Sequence, residues 1–142
     1  MSSDNDKHKG FPPWAGMDHL NYLKVHPLII ENDKSYQLDL TCSECRHPIT
    51  KVSERIEVFG RHDHAFTNLG YLVQLGCFRH APGCLGVERI SHGYSWFRGY
   101  AWQIQFCRYC FTQLGWKYIS EDDSFYGLIF NTLREEETEE EN

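Results

Sequence analysis

Four cysteines in two C-x2-C pairs are the residues of this sequence best placed to bind a metal ion. Cys42 and Cys45 form the first pair, and Cys107 and Cys110 form the second. Two intervening residues allow a tight turn to direct both sulfurs at one point, and two such turns supply the tetrahedral sulfur set that zinc prefers. Because all four positions are cysteine, no coordination position stays open. We therefore expect one structural, non-catalytic Zn²⁺ ion, in preference to two disulfides or unrelated buried thiols.

The remaining cysteines, Cys77 and Cys84, lie on either side of a short loop. Buried free thiols are the simpler interpretation, and a disulfide closing the loop is the alternative in an oxidising compartment. A redox nucleophile, as in a methionine sulfoxide reductase-like enzyme, would need an exposed thiol of low pKa. Neither cysteine has neighbours typical of a nucleophile, so we expect no enzymatic activity. The His62-Asp63-His64 run is interpreted as a polar turn and not as a second metal site.

Three of the four tryptophans, Trp96, Trp102 and Trp116, lie close to the second cysteine pair. Tryptophan is often mostly buried, so all three could simply fill a core. Their neighbours, however, are largely polar residues and glycines, which favours the walls of a small-molecule pocket or a cage for methylammonium ions. Residue chemistry alone does not decide whether the three tryptophans fill a core or line a pocket.

Short β-strands are the elements predicted to position these side chains. Residues 36–40 and 54–59 alternate between apolar and polar side chains, and in residues 100–106 every second side chain is large and apolar. Glycines punctuate the chain from residue 60 onward. The pattern predicts a mainly β domain of antiparallel strands with little helix.

The 142 residues are enough for one domain with a real core. We predict a flexible segment over residues 1–16, a globular domain over residues 17–133 and an acidic, disordered tail over residues 134–142. Six of the 20 acidic residues are the glutamates at 135–137 and 139–141, which leaves 14 acids against 14 Lys and Arg in the chain before them. A neutral body lacks the basic patch that nucleic-acid binding requires, so we expect no nucleic-acid partner.

The sequence also predicts the cellular location of the protein. No apolar run approaches the roughly 20 residues of a membrane span, and the polar start lacks the apolar centre of a signal peptide. We expect an intracellular monomer, in cytoplasm or nucleus, that does not contact membranes. If a leader has been removed from a longer precursor, the expected location is instead extracellular.

Beyond this chemistry, the motifs resemble the CULT domain, the cereblon-type thalidomide-binding domain, in its free-standing single-domain form. The resemblance covers roughly residues 36–133. It is carried by the two C-x2-C pairs and by three further motifs: Gly-Tyr-Ser-Trp-Phe-Arg-Gly-Tyr-Ala-Trp at 93–102, Gly-Trp-Lys-Tyr at 115–118 and Phe-Tyr-Gly-Leu at 125–128.

The resemblance implies a fold called a β-tent, with two antiparallel sheets pinned by the structural zinc. It also implies an aromatic cage walled by Trp96, Trp102 and Trp116, with Tyr118 where the family often has phenylalanine. The implied ligand is a cyclic imide of the glutarimide or thalidomide type, a uridine-like ring, or a cyclic imide at a protein terminus. Main-chain groups of the segment that contains Tyr94 and Ser95 would bind the imide.

The sequence departs from the family pattern at two places. Tyr94 stands where cereblon has histidine, and because that contact is thought to involve the main chain, we expect binding to persist. Thr67-Asn68-Leu69-Gly70 replaces an Asn-Pro-x-Gly loop, which affects contacts beyond the imide ring. A ubiquitin-ligase adaptor contact does not follow from this domain alone.

Overall fold

The computed structural model describes residues 38–137, which form nine β-strands and two single-turn 3-10 helices. The strands are β1 Leu38–Cys42, β2 Pro48–Lys51, β3 Asp63–Asn68, β4 Tyr71–Phe78, β5 Cys84–Gly86, β6 Ala101–Cys107, β7 Gln113–Ile119, β8 Ser124–Ile129 and β9 Leu133–Glu137. The 3-10 helices are Val52–Glu54 and Phe130–Thr132. No helix in this range is long and apolar enough to cross a membrane. The predicted mainly β class is confirmed.

The strands form two antiparallel sheets, as predicted. The small sheet has the order β2-β1-β9, and the large sheet has the order β3-β4-β8-β7-β6-β5. Strand β1 of the small sheet ends at Cys42, and strand β6 of the large sheet ends at Cys107. Each cysteine pair therefore begins where a strand ends, so the cysteines lie where the two sheets meet.

The large sheet has a hydrophobic core on each face, because successive side chains of a strand point to opposite faces. In β4, Phe78 belongs to the first core, whereas its neighbour Cys77 belongs to the second. The first core lies against the small sheet and includes Leu40, Ile49, Val52, Leu114 and Leu128. The second core is strongly aromatic and includes Phe66, Phe97, Tyr118 and Phe125, with the three tryptophans packed against it.

Two glycines allow the centre of the large sheet to pack closely. A Cβ atom on Gly115 would collide with the carbonyl oxygen of Gly127 on the adjacent strand. A Cβ atom on Gly127 would lie 2.9 Å from Cε2 of Tyr118. Glycine at these two positions brings β7 against β8 and leaves space for the Tyr118 ring.

The prediction of a disordered tail is wrong for residues 134–137. They belong to β9, which pairs with β1 from Leu38 opposite Glu137 to Cys42 opposite Leu133. Main-chain pairing does not depend on side-chain charge, and Arg46 Nε lies 2.7 Å from Glu136 Oε2. The remainder of the predicted tail, residues 138–142, and the predicted N-terminal segment, residues 1–16, lie outside the described residues.

The strand predicted over residues 54–59 is also wrong. This segment begins in a 3-10 turn and makes only isolated bridges, between Arg55 and Phe78 and between Val58 and Arg61. Its apolar side chains instead cover part of the second core, with Val58 buried and Ile56 partly buried. The apolar residues alternate with polar ones because one side of this irregular segment is buried, and not because the segment is a strand.

Candidate metal centre and aromatic site

The four cysteines predicted as metal ligands lie together. Their sulfur atoms are all within 4.8 Å of one another, with Cys42 to Cys110 and Cys45 to Cys107 both at 3.6 Å. Four sulfurs at about 2.3 Å from a zinc ion form a tetrahedron with edges of about 3.8 Å. A disulfide would instead bring two sulfurs to about 2.05 Å. The cluster could hold one metal ion, and four soft thiolates suit zinc among the common metals.

The two C-x2-C pairs share one backbone conformation. Cys42 O accepts a hydrogen bond from Arg46 N at 2.8 Å, and Cys107 O accepts one from Phe111 N at the same distance. Arg46 and Phe111 both have left-handed backbones, with φ of 70° and 64°. This matched pair of tight turns is why two residues between the cysteines suffice to bring their sulfurs together.

The three tryptophans predicted as cage walls lie on one face of the large sheet. Trp102 pairs with Tyr118 across β6 and β7, and Ile104 pairs with Trp116, so Trp102 and Trp116 are diagonal neighbours. Trp96 comes from the segment before β6, and its ring centroid is 5.0 Å from that of Trp116 at an angle of 70°. All three are half-buried at the margin of the aromatic core. Their exposure is therefore intermediate between that of core residues and that of residues lining an open pocket.

Specific contacts hold this segment against the sheet. Trp102 Nε1 donates a 2.6 Å hydrogen bond to Gly93 O. Ser91 and Trp102 exchange two main-chain hydrogen bonds of 2.8 and 2.9 Å. The Trp96 ring stacks on Phe66, with centroids 4.6 Å apart and planes 10° from parallel. The indole of Trp102 is thus both a surface of the site and an anchor for the loop that carries Trp96.

The remaining predicted ligand-site residues have different environments. Tyr94 has a left-handed backbone with φ of 52°, and its side chain is 87% exposed. Ser95 Oγ accepts a hydrogen bond from Phe97 N at 3.2 Å and donates one to Phe97 O at 3.0 Å. Tyr118 is only 2% exposed and belongs to the core against which the tryptophans pack, and its burial raises its pKa.

A surface groove of about 670 Å³ adjoins this segment. Tyr94 and Ser95 form part of its wall, together with Arg98, Tyr100 and Ile119, but its lining includes none of the three tryptophans. Two of the predicted imide-contacting residues, Tyr94 and Ser95, therefore line a groove to which the three tryptophans do not contribute.

The sequence was compared with protein-family models and with curated proteins. No family model matches the chain. It is similar to the protein cereblon of Danio rerio, with 32% identity over 104 residues that cover 66% of this chain and 24% of the relative. Cereblon of Xenopus tropicalis is 30% identical over 105 residues, 67% of this chain and 23% of the relative. Cereblon of Gallus gallus is 29% identical over 109 residues, with 66% and 23% covered.

This chain contains a cereblon-type domain. It spans about a quarter of the length of the curated relatives that it matches. The similarity agrees with the resemblance found in the motifs.

The two other cysteines of the cereblon-type domain are buried free thiols, as the simpler interpretation predicted. Cys77 lies in the aromatic core, where burial raises its pKa. Cys84 is 6% exposed, and burial raises its pKa to about 12. A redox nucleophile needs an accessible thiolate, so neither environment favours the reductase alternative.

The prediction of a polar turn at His62-Asp63-His64 is wrong for its last two residues, because Asp63 and His64 begin β3 and pair with β4. Both histidines face main-chain carbonyls. His62 Nδ1 is 3.0 Å from Ile56 O, and His64 Nε2 is 3.0 Å from Val58 O. Among residues 38–137, the four cysteines are the group that brings metal-type ligands together.

Several residues of the cereblon-type domain that shape the site were not singled out from the sequence. Phe66 and Phe97 pack against the tryptophans and Tyr118, and His47 and Thr112 contact the cysteine sulfurs. Phe97 lies inside the 93–102 motif, so its position in that motif could have indicated its role. Phe66 lies on β3, 30 residues before Trp96, and only the tertiary fold brings the two rings together.

Proposed function

We propose that this chain is a ligand-binding module of the CULT type that binds a cyclic imide between Trp96, Trp102 and Trp116. The observation that supports this most strongly is the gathering of three half-buried tryptophans on one sheet face, with Trp102 bonded to the loop that carries Trp96. Indole faces suit the saturated CH2 groups of a glutarimide ring. The ligand is a free imide or an imide at a protein terminus.

The polar side of the imide would bind main-chain groups of residues 94–96. An imide N–H or carbonyl taken out of water needs a fixed partner, since an unpaired buried polar group costs about 1–3 kcal/mol. The left-handed backbone of Tyr94 and the Ser95 turn give this segment a defined shape. The exposed Tyr94 side chain is compatible with recognition through the main chain.

We further propose that the four cysteines hold one structural Zn²⁺ ion. With four thiolate ligands the ion has no position for a substrate or an activated water, so it supplies folding free energy and rigidity. The site joins the end of β1 to the end of β6, which is the strand that carries Trp102. The metal would thereby fix the sheet on which the aromatic site is built.

Titration with glutarimide tests the imide proposal. In a Trp14→Phe variant, the remaining tryptophans are Trp96, Trp102 and Trp116, so indole fluorescence reports on the proposed cage. We expect a saturable change with glutarimide and a much weaker one with N-methylglutarimide, which lacks the imide N–H. Trp102→Ala should abolish binding and leave the zinc content unchanged.

No response at millimolar glutarimide, with zinc bound, would reject the proposal. A stronger response to tetramethylammonium than to glutarimide would instead identify a methylammonium-binding cage.

A further inference from the structure

The cysteine cluster has a buried half and an exposed half. Cys42 and Cys107, the first cysteine of each pair, are 0% exposed, whereas Cys45 is half-buried and Cys110 is exposed. Water and competing ligands can reach the second cysteine of each pair, here called the outer cysteines. A competing ligand would therefore reach an outer thiolate before a buried one.

The buried sulfurs are held by the main chain. Glu44 N lies 3.4 Å from Cys42 Sγ, and Tyr109 N lies 3.4 Å from Cys107 Sγ. Because these donors are peptide N–H groups, the contacts follow from the turn itself and do not depend on the identity of the side chains.

The outer sulfurs, in contrast, are contacted by side chains. His47 Nδ1 is 3.3 Å from Cys45 Sγ, and Thr112 Oγ1 is 3.1 Å from Cys110 Sγ. Both residues stand two positions after the outer cysteine of their pair, so the two turns are matched here as well. A metal-bound thiolate carries no proton and can only accept, so the ring N–H and the hydroxyl donate.

The His47 ring is itself fixed across the cluster. It stacks on Tyr109, which belongs to the other cysteine pair, with centroids 4.0 Å apart and planes 10° from parallel. The stack orients Nδ1 toward Cys45 and connects the two turns on the exposed side.

We infer that His47 and Thr112 are positioning residues that hold the two outer thiolates and determine how firmly the exposed half of the site retains its metal. The inference rests on the zinc binding proposed above. Donors to metal ligands orient the ligand and stabilise its charge, and losing one typically weakens metal binding by about 10- to 100-fold.

The test measures zinc transfer from the loaded protein to a chromogenic chelator. Thr112→Val removes the hydroxyl and keeps the shape, whereas Thr112→Ser keeps the hydroxyl. We expect zinc loss about tenfold faster in the valine variant and near the wild-type rate in the serine variant. Equal rates for both variants and the wild type would overturn the role of Thr112.

A second pair of variants tests His47. His47→Phe keeps a ring to stack on Tyr109 and loses the donor, whereas His47→Asn places an amide N–H near the position of Nδ1 without the ring. We expect faster zinc loss in the phenylalanine variant than in the asparagine variant. The reverse order would show that stacking, and not the hydrogen bond, retains the metal, and would overturn the role proposed for His47.

Cobalt substitution separates this inference from the proposal on which it rests. The thiolate-to-cobalt absorption of the loaded variants reports the four-sulfur site directly, and a variant that retains it is folded around its metal. A wild-type protein that takes up neither Zn²⁺ nor Co²⁺ would overturn both the zinc proposal and this inference. Metal uptake with unchanged dissociation in all four variants would overturn this inference alone.

Discussion

At the scale of single residues, His64 shows how the aromatic core controls a titratable group. Its ring packs edge-on against Phe97 with centroids 4.9 Å apart, and Nε2 faces the carbonyls of Val58 and Arg61. Burial lowers the pKa of His64 below the ordinary value of 6.5, because a charged imidazole in this core loses its hydration. The folded protein therefore favours neutral His64.

This lowered pKa predicts an acid-side loss of stability. Above about pH 6.5 both folded and unfolded chains carry neutral His64, so its contribution to the free energy of unfolding is complete. As the pH falls toward the lower folded-state pKa, the unfolded chain binds the proton first, and stability falls by at most about 1.4 kcal/mol per pH unit. Denaturant unfolding of the zinc-loaded protein between pH 7.5 and 5 measures this loss.

His64→Gln is the matched control, because its amide N–H can replace Nε2 and does not titrate in this range. The wild type should lose stability relative to this variant as the pH falls. Parallel pH profiles would show that His64 is not the responsible group, since the cysteine cluster is common to both proteins.

At the scale of strands and turns, the cysteine pairs were the most predictable elements. The C-x2-C spacing specifies a local turn, and local geometry alone brings two sulfurs together. The alternation in residues 100–106 correctly predicted a strand, and Tyr100 and Trp102 from its apolar side pack against the aromatic core. The family resemblance predicted that the three tryptophans lie together, which their spacing in the sequence alone does not indicate.

Other elements could not be predicted because their cause is not local. Strand β9 contains three consecutive glutamates, and it forms because β1 offers an unpaired edge. Residues 54–59 alternate like a strand, but their apolar side chains cover the second core from an irregular segment. Likewise, the burial of Tyr118 follows from its neighbours on β6 and β8 and not from its own motif.

Packing between β7 and β8 gives a prediction at this scale. Alanine at position 127 would place its Cβ 2.9 Å from Tyr118 Cε2 and 3.2 Å from Leu75 Cδ1, both of which belong to buried side chains. We expect Gly127→Ala to lower the free energy of unfolding by about 1–3 kcal/mol, the usual cost of overpacking a core. Chemical denaturation with saturating zinc measures the change.

Gly93→Ala is the control, since no atom lies within 4 Å of a Cβ at position 93. Its stability should remain within about 0.5 kcal/mol of the wild type. If Gly127→Ala is as stable as this control, the tight approach of Tyr118 to β8 does not constrain the sheet.

At the scale of the whole molecule, the two cores are held in different ways. The aromatic core lies entirely on the large sheet and the segments that cover it. The first core joins the large sheet to the small one, and the cysteine cluster joins the same two sheets at the ends of β1 and β6. Attachment of the small sheet thus depends on the first core and on the cysteine cluster, where the proposed metal would join the two sheets.

Metal removal should therefore affect the two sheets unequally. Structural zinc contributes folding free energy directly, so chelation should lower the melting temperature by more than about 10 °C. Hydrogen exchange followed by NMR should show amides of β1, β2 and β9 losing protection first. Amides of β3, β4 and β8 should remain protected, because the aromatic core does not include the cysteine cluster.

Adding zinc back should restore protection in the small sheet. The Cys110→Ser variant should reproduce the effect of the chelator, because the substitution removes an exposed proposed ligand without disturbing either core. Equal loss of protection in both sheets would show that the domain unfolds as one unit without its metal. Unchanged exchange would show that the first core alone attaches the small sheet. If β6 and β7 also keep their protection, the metal-free protein keeps the strands that carry Trp102 and Trp116, and it should still bind glutarimide, only more weakly.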